Sequence, residues 1–263
     1  EFQLTASYSA QDIHHRWFMQ NEVHDARVEN ISDRRTGFQI AGPKARDLLT
    51  ACTRDDVAGI KFMDVRRMTI GQVACIVQRV SYTGDLGYEI YCDPMDQRQL
   101  WWTLWQAGQP MGITPFGMRA MMSLRLDRFF GSWLNEFSPD YTAAETGMDR
   151  FISFKKNADF IGRAVAEAER TTPPDRTLVA FEVDEDDSDV VAYEPVFIDG
   201  KVLGFCTSGG YSHHACKSVA LGLVPRALAV EGFTAEIEIM GQLLKATLIT
   251  TPLFDPVGTA MRG

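Results

Sequence analysis

At residues 171–177 the chain reads TTPPDRT, and the hydrophobic pattern obeys a different rule on either side of that break. Beyond it come TLVAFEV, EPVFIDGKVLGF, KSVALGLV and AEIEIMGQLLKATLI, short runs at regular spacing with turn residues at Asp199-Gly200 and Gly241. Short apolar runs punctuated in this way form closed or stacked sheets, so this half is expected to be a small barrel or sandwich. Before the break, strands alternate with helices. Residues 37–49, GFQIAGPKARDLL, pass from a strand through Gly42-Pro43 into a helix on which Ala45, Leu48 and Leu49 repeat at helical spacing. Asp93 can cap a helix and Pro94 suits its first position. Leu100, Trp101, Leu104 and Trp105 then give a stripe expected in the core, and Gly108 ends it. Further helices are expected over 116–128 and 159–170, and residues 1–6 read as another strand. The fold class is α+β, with domains at 1–170 and 177–263.

The composition narrows the function classes. With 263 residues, 45% hydrophobic and 23% charged, the chain is that of a soluble globular protein with a sizeable core. Its formal charge of −9 argues against a nucleic-acid partner, which requires a cationic face. No apolar run of membrane-spanning length occurs, so no membrane association is expected. Five scattered cysteines make no CxxC pair, and a reducing compartment, the cytoplasm, is the default. Neither GxGxxG nor GxxxxGK[ST] is present, so a flavin or nucleotide site must belong to another part of the molecule. The opening residues carry no signal-peptide pattern and no initiator methionine, and the chain is expected to be a piece of something longer.

Familiar catalytic groupings are thin. His14-His15 falls in an expected helix, QDIHHRWFM, while His213-His214 follows Ser208-Gly209-Gly210. Neighbours on a strand point to opposite faces, so His213 and His214 do not chelate one ion together; His214 with Cys216 falls short of the ligands zinc needs. The acidic run VDEDDSDVV lacks the glycine and terminal glutamate of a calcium loop. No metal site is expected. A Ser/His/Asp triad finds no GxSxG elbow in support.

The stretch SYTGDLGYEIYCD at 81–93 is different. On a strand leaving its glycine turn, Glu89 and Tyr91 face one way and Tyr88 and Ile90 the other. Two readings of Glu89 stand on this spacing. It is a solvent-facing glutamate on an amphipathic strand, or it is the acceptor for a flat heterocycle whose paired N–H donors bind a carboxylate bidentately beside a stacked aromatic.

SYTGDLGYEIY strongly resembles the S-x-T-G-E-x-G-x-E-I motif of the glycine-cleavage T-protein (aminomethyltransferase) superfamily. GPKARDLL, GITPFGMRAMMSLRLD, ETGMDRFISFKKNADFIGRA, TSGGYSHHACKSVALGLVP and FDPVGTAMR follow in the order found in the folate-binding half of dimethylglycine and sarcosine dehydrogenases. The resemblance covers essentially the whole chain, and the K-G-C-Y-x-G-Q-E signature of the iron–sulfur maintenance relatives is absent. It implies a folate-binding domain of ferredoxin-like lobes, its N-terminal lobe incomplete, followed by a small C-terminal β-barrel. It implies tetrahydrofolate as cofactor, with Tyr82 and Glu89 lining the site, Glu89 meeting the pterin, and Arg119 contributing to the same site. Tyr91 joins them from the strand alternation alone.

The resemblance also implies a reaction. A flavin domain or subunit upstream, carrying FAD, oxidises an N-methyl amine to its iminium, and the carbon is taken up to give 5,10-methylenetetrahydrofolate. The family aspartate that assists this step is expected ahead of Glu1, so the catalytic residue of this chain is unknown. A stand-alone aminomethyltransferase, a folate-dependent demethylase of amine-oxide, sulfonium or methoxyaryl substrates, and a non-catalytic folate-binding module are the alternatives. Two departures bear on the pocket. Phe129 stands where relatives commonly carry glycine in L-R-L-E-K-G, and Arg150 where several carry an aromatic.

Overall fold

The computed structural model describes residues 2–21, 25–184 and 187–263. In chain order the helices are α1 (Gln11–Gln20), α2 (Ala45–Cys52), α3 (Gln97–Gly108), α4 (Met118–Leu124), α5 (Arg163–Thr171) and α6 (Thr259–Arg262). The first four strands are β1 (Thr36–Ala41), β2 (Val65–Ile70), β3 (Val73–Gln78) and β4 (Gly87–Cys92). The remainder are β5 (Arg176–Val183), β6 (Pro195–Ile198), β7 (Lys201–Ser212), β8 (Lys217–Pro225), β9 (Thr234–Ile239) and β10 (Gln242–Ile249). The chain forms two compact units, residues 1–117 with 257–263 and residues 118–256. None of its described helices is long and apolar enough to cross a membrane.

In the first unit β1 to β4 make one antiparallel sheet in the order β1-β4-β3-β2. One face of it is apolar. Ile40, Met68, Ile70, Val73, Cys75, Val77, Tyr88, Ile90 and Cys92 pack with Leu48 and Leu49 of α2 and Leu100 and Leu104 of α3. Each such side chain contributes about 1.5–3 kcal/mol on leaving water. Asp93 Oδ1 accepts from the Met95 N–H at 3.0 Å, capping the turn that leads into α3. The α3 stripe divides, which corrects the sequence expectation. Leu100 and Leu104 are buried, but Trp101 is 38% exposed. One residue further round the helix lies about 100° away, and there Trp101 stacks on Trp105 at 5.9 Å and leans on Phe38 at 5.5 Å. The expected N-terminal strand is also corrected: described residues 2–7 pair with no strand.

In the second unit β5 to β10 close into a six-stranded antiparallel barrel, in the order β10-β5-β8-β7-β6-β9. Its hairpins turn at Asp199-Gly200 and Met240-Gly241, where both central residues have positive φ, as tight two-residue β-turns require. Phe181, Val183, Val196, Ile198, Cys206, Ile237, Ile239 and Leu248 fill the interior. Burial pushes the Cys206 thiol up to about 12, so it is a packing residue and not a nucleophile.

β8 is buried along nearly its whole length, so its outward side chains also need cover. Val219 and Leu221 obtain it from Leu126 and Phe129, in the turn after α4. The segment from Met118 falls in the second compact unit, with the barrel. Arg125 and Glu136, 2% and 0% exposed, form an ion pair at 3.2 Å within this segment. Glu136 also accepts from the Ser132 N–H at 2.7 Å and from the Ser208 hydroxyl on β7.

Phe129 has φ 57° and ψ 30°, a left-handed conformation that suits glycine and strains an L side chain. Packing against the Leu126, Ala180, Val219 and Leu221 cluster holds it there. Two stability tests follow from the barrel unit. Phe129→Gly and Phe129→Ala both lose this packing, and in urea unfolding the glycine variant is the more stable of the two by about 1 kcal/mol. Burial works against the charge on Glu145, but its bond from Arg176 and those from Thr142 outweigh it and hold the carboxyl below its usual range. A folded pKa below the unfolded one stabilises fully above the unfolded value and is lost as pH falls through the folded value. Glu145→Gln is therefore less stable than the parent at pH 7, and the gap closes on acidification below the ordinary carboxylate range.

Candidate functional site

The loop 79–86 leads into β4, and its turn is tied locally: Ser81 Oγ accepts from the Gly84 N–H at 3.0 Å, and Leu86 O from the Gly42 N–H at 2.9 Å. β4 lies between β1 and β3 and bonds to both. Its alternation is strict. Tyr88 and Ile90 are fully buried and Cys92 nearly so, while Glu89 and Tyr91 between them are half-buried on the face away from α2 and α3. Register then chooses their neighbours. Glu89 is opposite Gln39 on β1 and Gln78 on β3; Tyr91 is opposite Gly37 and Ile76.

Glu89 and Tyr91 are brought together. Tyr91 Oη donates to Glu89 Oε2 at 2.6 Å. Burial first, then the bond to Glu89 and its charge, push the tyrosine's pKa upward, so the phenol remains a donor at neutral pH. A carboxylate has about four lone-pair directions, and one such bond leaves capacity for a second, paired donor. Gly37 makes the arrangement possible. A Cβ there would lie 2.8 Å from Tyr91 Cδ1, so only a bare backbone lets the ring settle across β1.

Two amides flank the carboxylate. Gln78 Nε2 reaches Thr5 Oγ1 at 3.5 Å. Gln39 Nε2 is shut off from water and has no hydrogen-bond partner. Neither amide stands out in the sequence, because each enters this row only through cross-strand pairing.

Comparison with known proteins decides the family. The model of the GCVT N-terminal domain matches residues 1–156, and that of the glycine cleavage T-protein C-terminal barrel domain matches residues 176–255. The chain belongs to the glycine cleavage T-protein family. A dimethylglycine dehydrogenase of Rattus norvegicus is 35% identical over 98% of this chain and 31% of its own length. The Homo sapiens protein of that name is 34% identical over 95% of this chain and 30% of its own. An aminomethyltransferase of Bacillus cereus is 31% identical over 97% of this chain and 69% of its own length. The chain thus spans less than a third of the dehydrogenases and about two thirds of the aminomethyltransferase. Aminomethyltransferase T of Bartonella henselae has the same fold, with a TM-score of 0.76 at 24% identity over 84% of this chain and 60% of that one.

The remaining expected residues lie on other elements of the chain. Tyr82 is half-buried in the loop before β4. Arg119 is exposed in the first turn of α4, in the second compact unit. Arg150 is exposed, its guanidinium 5.0 Å from the Phe151 ring centre. His14 and His15 lie on α1 as expected. His213, His214 and Cys216 fall in the turn between β7 and β8, where His214 Nδ1 is 2.6 Å from Asp127 Oδ2 and its ring stacks on Phe254 at 3.9 Å. No group of three or more His, Cys, Asp or Glu suited to a metal occurs among the described residues. Residues 185 and 186 of the acidic run lie outside the described residues.

The Gly37 contact is directly testable. Gly37→Ala must displace the Tyr91 ring, at a cost of about 1–3 kcal/mol in denaturant unfolding. The raised tyrosine titration assigned to Tyr91 should fall toward the ordinary phenol value in the same variant, followed by absorbance against pH.

Proposed function

We propose that the chain is the tetrahydrofolate-binding, one-carbon-transfer region of a dimethylglycine or sarcosine dehydrogenase-like enzyme. The observation that carries this reading is the half-buried Glu89 carboxylate, oriented by Tyr91 on the face of β4 away from α2 and α3. The residues fit the cofactor. A reduced pterin has adjacent N–H donors, Glu89 has a carboxylate with spare acceptor capacity, and the neighbouring Gln39 has an unsatisfied buried donor. Family membership and the similarity to dimethylglycine dehydrogenases support the same reading.

When bound, tetrahydrofolate supplies the N5 nucleophile that takes up the one-carbon unit to give 5,10-methylenetetrahydrofolate. The residues of this chain serve position. Glu89 holds the ring edge in plane, Tyr91 fixes the carboxylate rotamer, and Tyr82 packs on or bonds to the ring. Orientation of this kind lowers the barrier by prepaying the entropy of encounter. In this reading the one-carbon donor is an N-methyl amine, delivered as its iminium from an upstream flavin domain or subunit that carries FAD.

A stand-alone aminomethyltransferase is the second reading, favoured by the 69% coverage of the Bacillus cereus relative. The two separate on flavin content and amine oxidation by the complete gene product. For the shared folate site, Glu89→Gln is expected to weaken tetrahydrofolate binding by about 1–3 kcal/mol in calorimetry. Unchanged affinity would remove Glu89 from the site.

A further inference from the structure

We propose that Gln39 is the donor that completes recognition of the heterocycle, bonding the ring carbonyl next to the N–H groups that Glu89 takes. This rests on the folate reading of the Glu89 site and extends it to a residue on a different strand.

The argument begins with register. Gln39 and Glu89 are Cα partners on β1 and β4, so their side chains leave the same face of the sheet side by side, with Cβ atoms about 4.5–5.5 Å apart. The two groups are chemically complementary: a carboxylate only accepts, and the Gln39 Nε2 only donates. The edge of a 2-amino-4-oxo pyrimidine ring presents donor, donor, acceptor in that order. Glu89 matches the two donors. The carbonyl then falls beside Glu89, on the side where a neighbouring strand must supply an N–H.

Two amides flank Glu89, and their states differ. Gln78, on β3, already has a partner in Thr5 Oγ1. Gln39 Nε2 is buried with none. A buried donor without a partner is a net cost to folding, and the great majority of such groups are satisfied. An acceptor-bearing ligand beside Glu89 would give this donor its missing partner once the Gln39 side chain turns toward the ring. Other buried polar atoms among the described residues, Tyr88 Oη and Ser218 Oγ for instance, also have no partner, but Gln39 Nε2 is the one on a residue directly cross-strand to Glu89.

This difference yields opposite signs for stability and affinity. Gln39→Met keeps side-chain length and removes the amide, and Gln39→Leu is a second variant of different shape. Both are expected to unfold at the same or higher denaturant concentration than the parent when ligand-free. Calorimetry is then expected to show tetrahydrofolate binding weakened by about tenfold, while the 2,4-diamino analogue, which lacks the carbonyl, loses less than about threefold. Parent-like tetrahydrofolate affinity in both variants, or equal losses for the two ligands, overturns the assignment of Gln39. Failure of the parent protein to bind tetrahydrofolate overturns the folate reading itself and Gln39's role with it; binding by the parent with an unchanged ligand ratio in the variants overturns Gln39 alone.

Discussion

The two-residue alternation of β4 is the constraint on which the candidate site depends. Tyr88, Ile90 and Cys92 enter the core against α2 and α3, so Glu89 and Tyr91 have no choice but the opposite face. A slip of one residue would bury the carboxylate and expose three core side chains, and no compensating contact exists for either. Because β1 and β3 both bond to β4, its register is held from two sides. Glu89 is therefore placed by hydrophobic burial on the far side of its own strand.

The barrel unit solves a different problem. β8 is apolar on both faces, and the second face is covered by the turn after α4. That turn is anchored by Arg125, which donates to Phe130 O at 2.6 Å and to Met122 O at 3.2 Å besides its pairing with Glu136. Burying two charges gains little by itself, but losing one partner of such a pair costs about 3–5 kcal/mol. Glu136 reaches the barrel through Ser208, where the β7–β8 pairing shifts register. A β-bulge there turns a side chain toward an element outside the sheet. Phe129 shows the same economy: covering Val219 and Leu221 outweighs its left-handed backbone.

Much of this was legible in the sequence, for identifiable reasons. Strand and helix over 36–52 follow from GFQIAGPKARDLL because the switch from a period of two to one of 3.6 is local. The Asp93-Pro94 start and the Asp199-Gly200 turn follow from residues whose local chemistry favours that conformation, whereas Gly108 closes α3 while still helical and the left-handed residue is Gly112. Glu89 and Tyr91 share a face for the same local reason. The α3 stripe was misjudged because spacing tells which side chains lie together but not how much of a helix the core covers. Residues 2–7 look like a strand, yet a strand needs an edge to pair with.

The division between sequence and tertiary structure follows from the range of the forces. By itself the sequence determined the strand that carries Glu89, the residues that accompany it on that strand, and, through motifs in order, the family. Those are short-range properties of periodicity, turn chemistry and motif. Only the tertiary structure decided that Gly37 admits the Tyr91 ring, that Gln39 stands beside Glu89, and that Leu126 and Phe129 belong to the barrel. Each of those pairs residues far apart in the chain, and cross-strand register or packing selects such pairs with no mark in the local sequence.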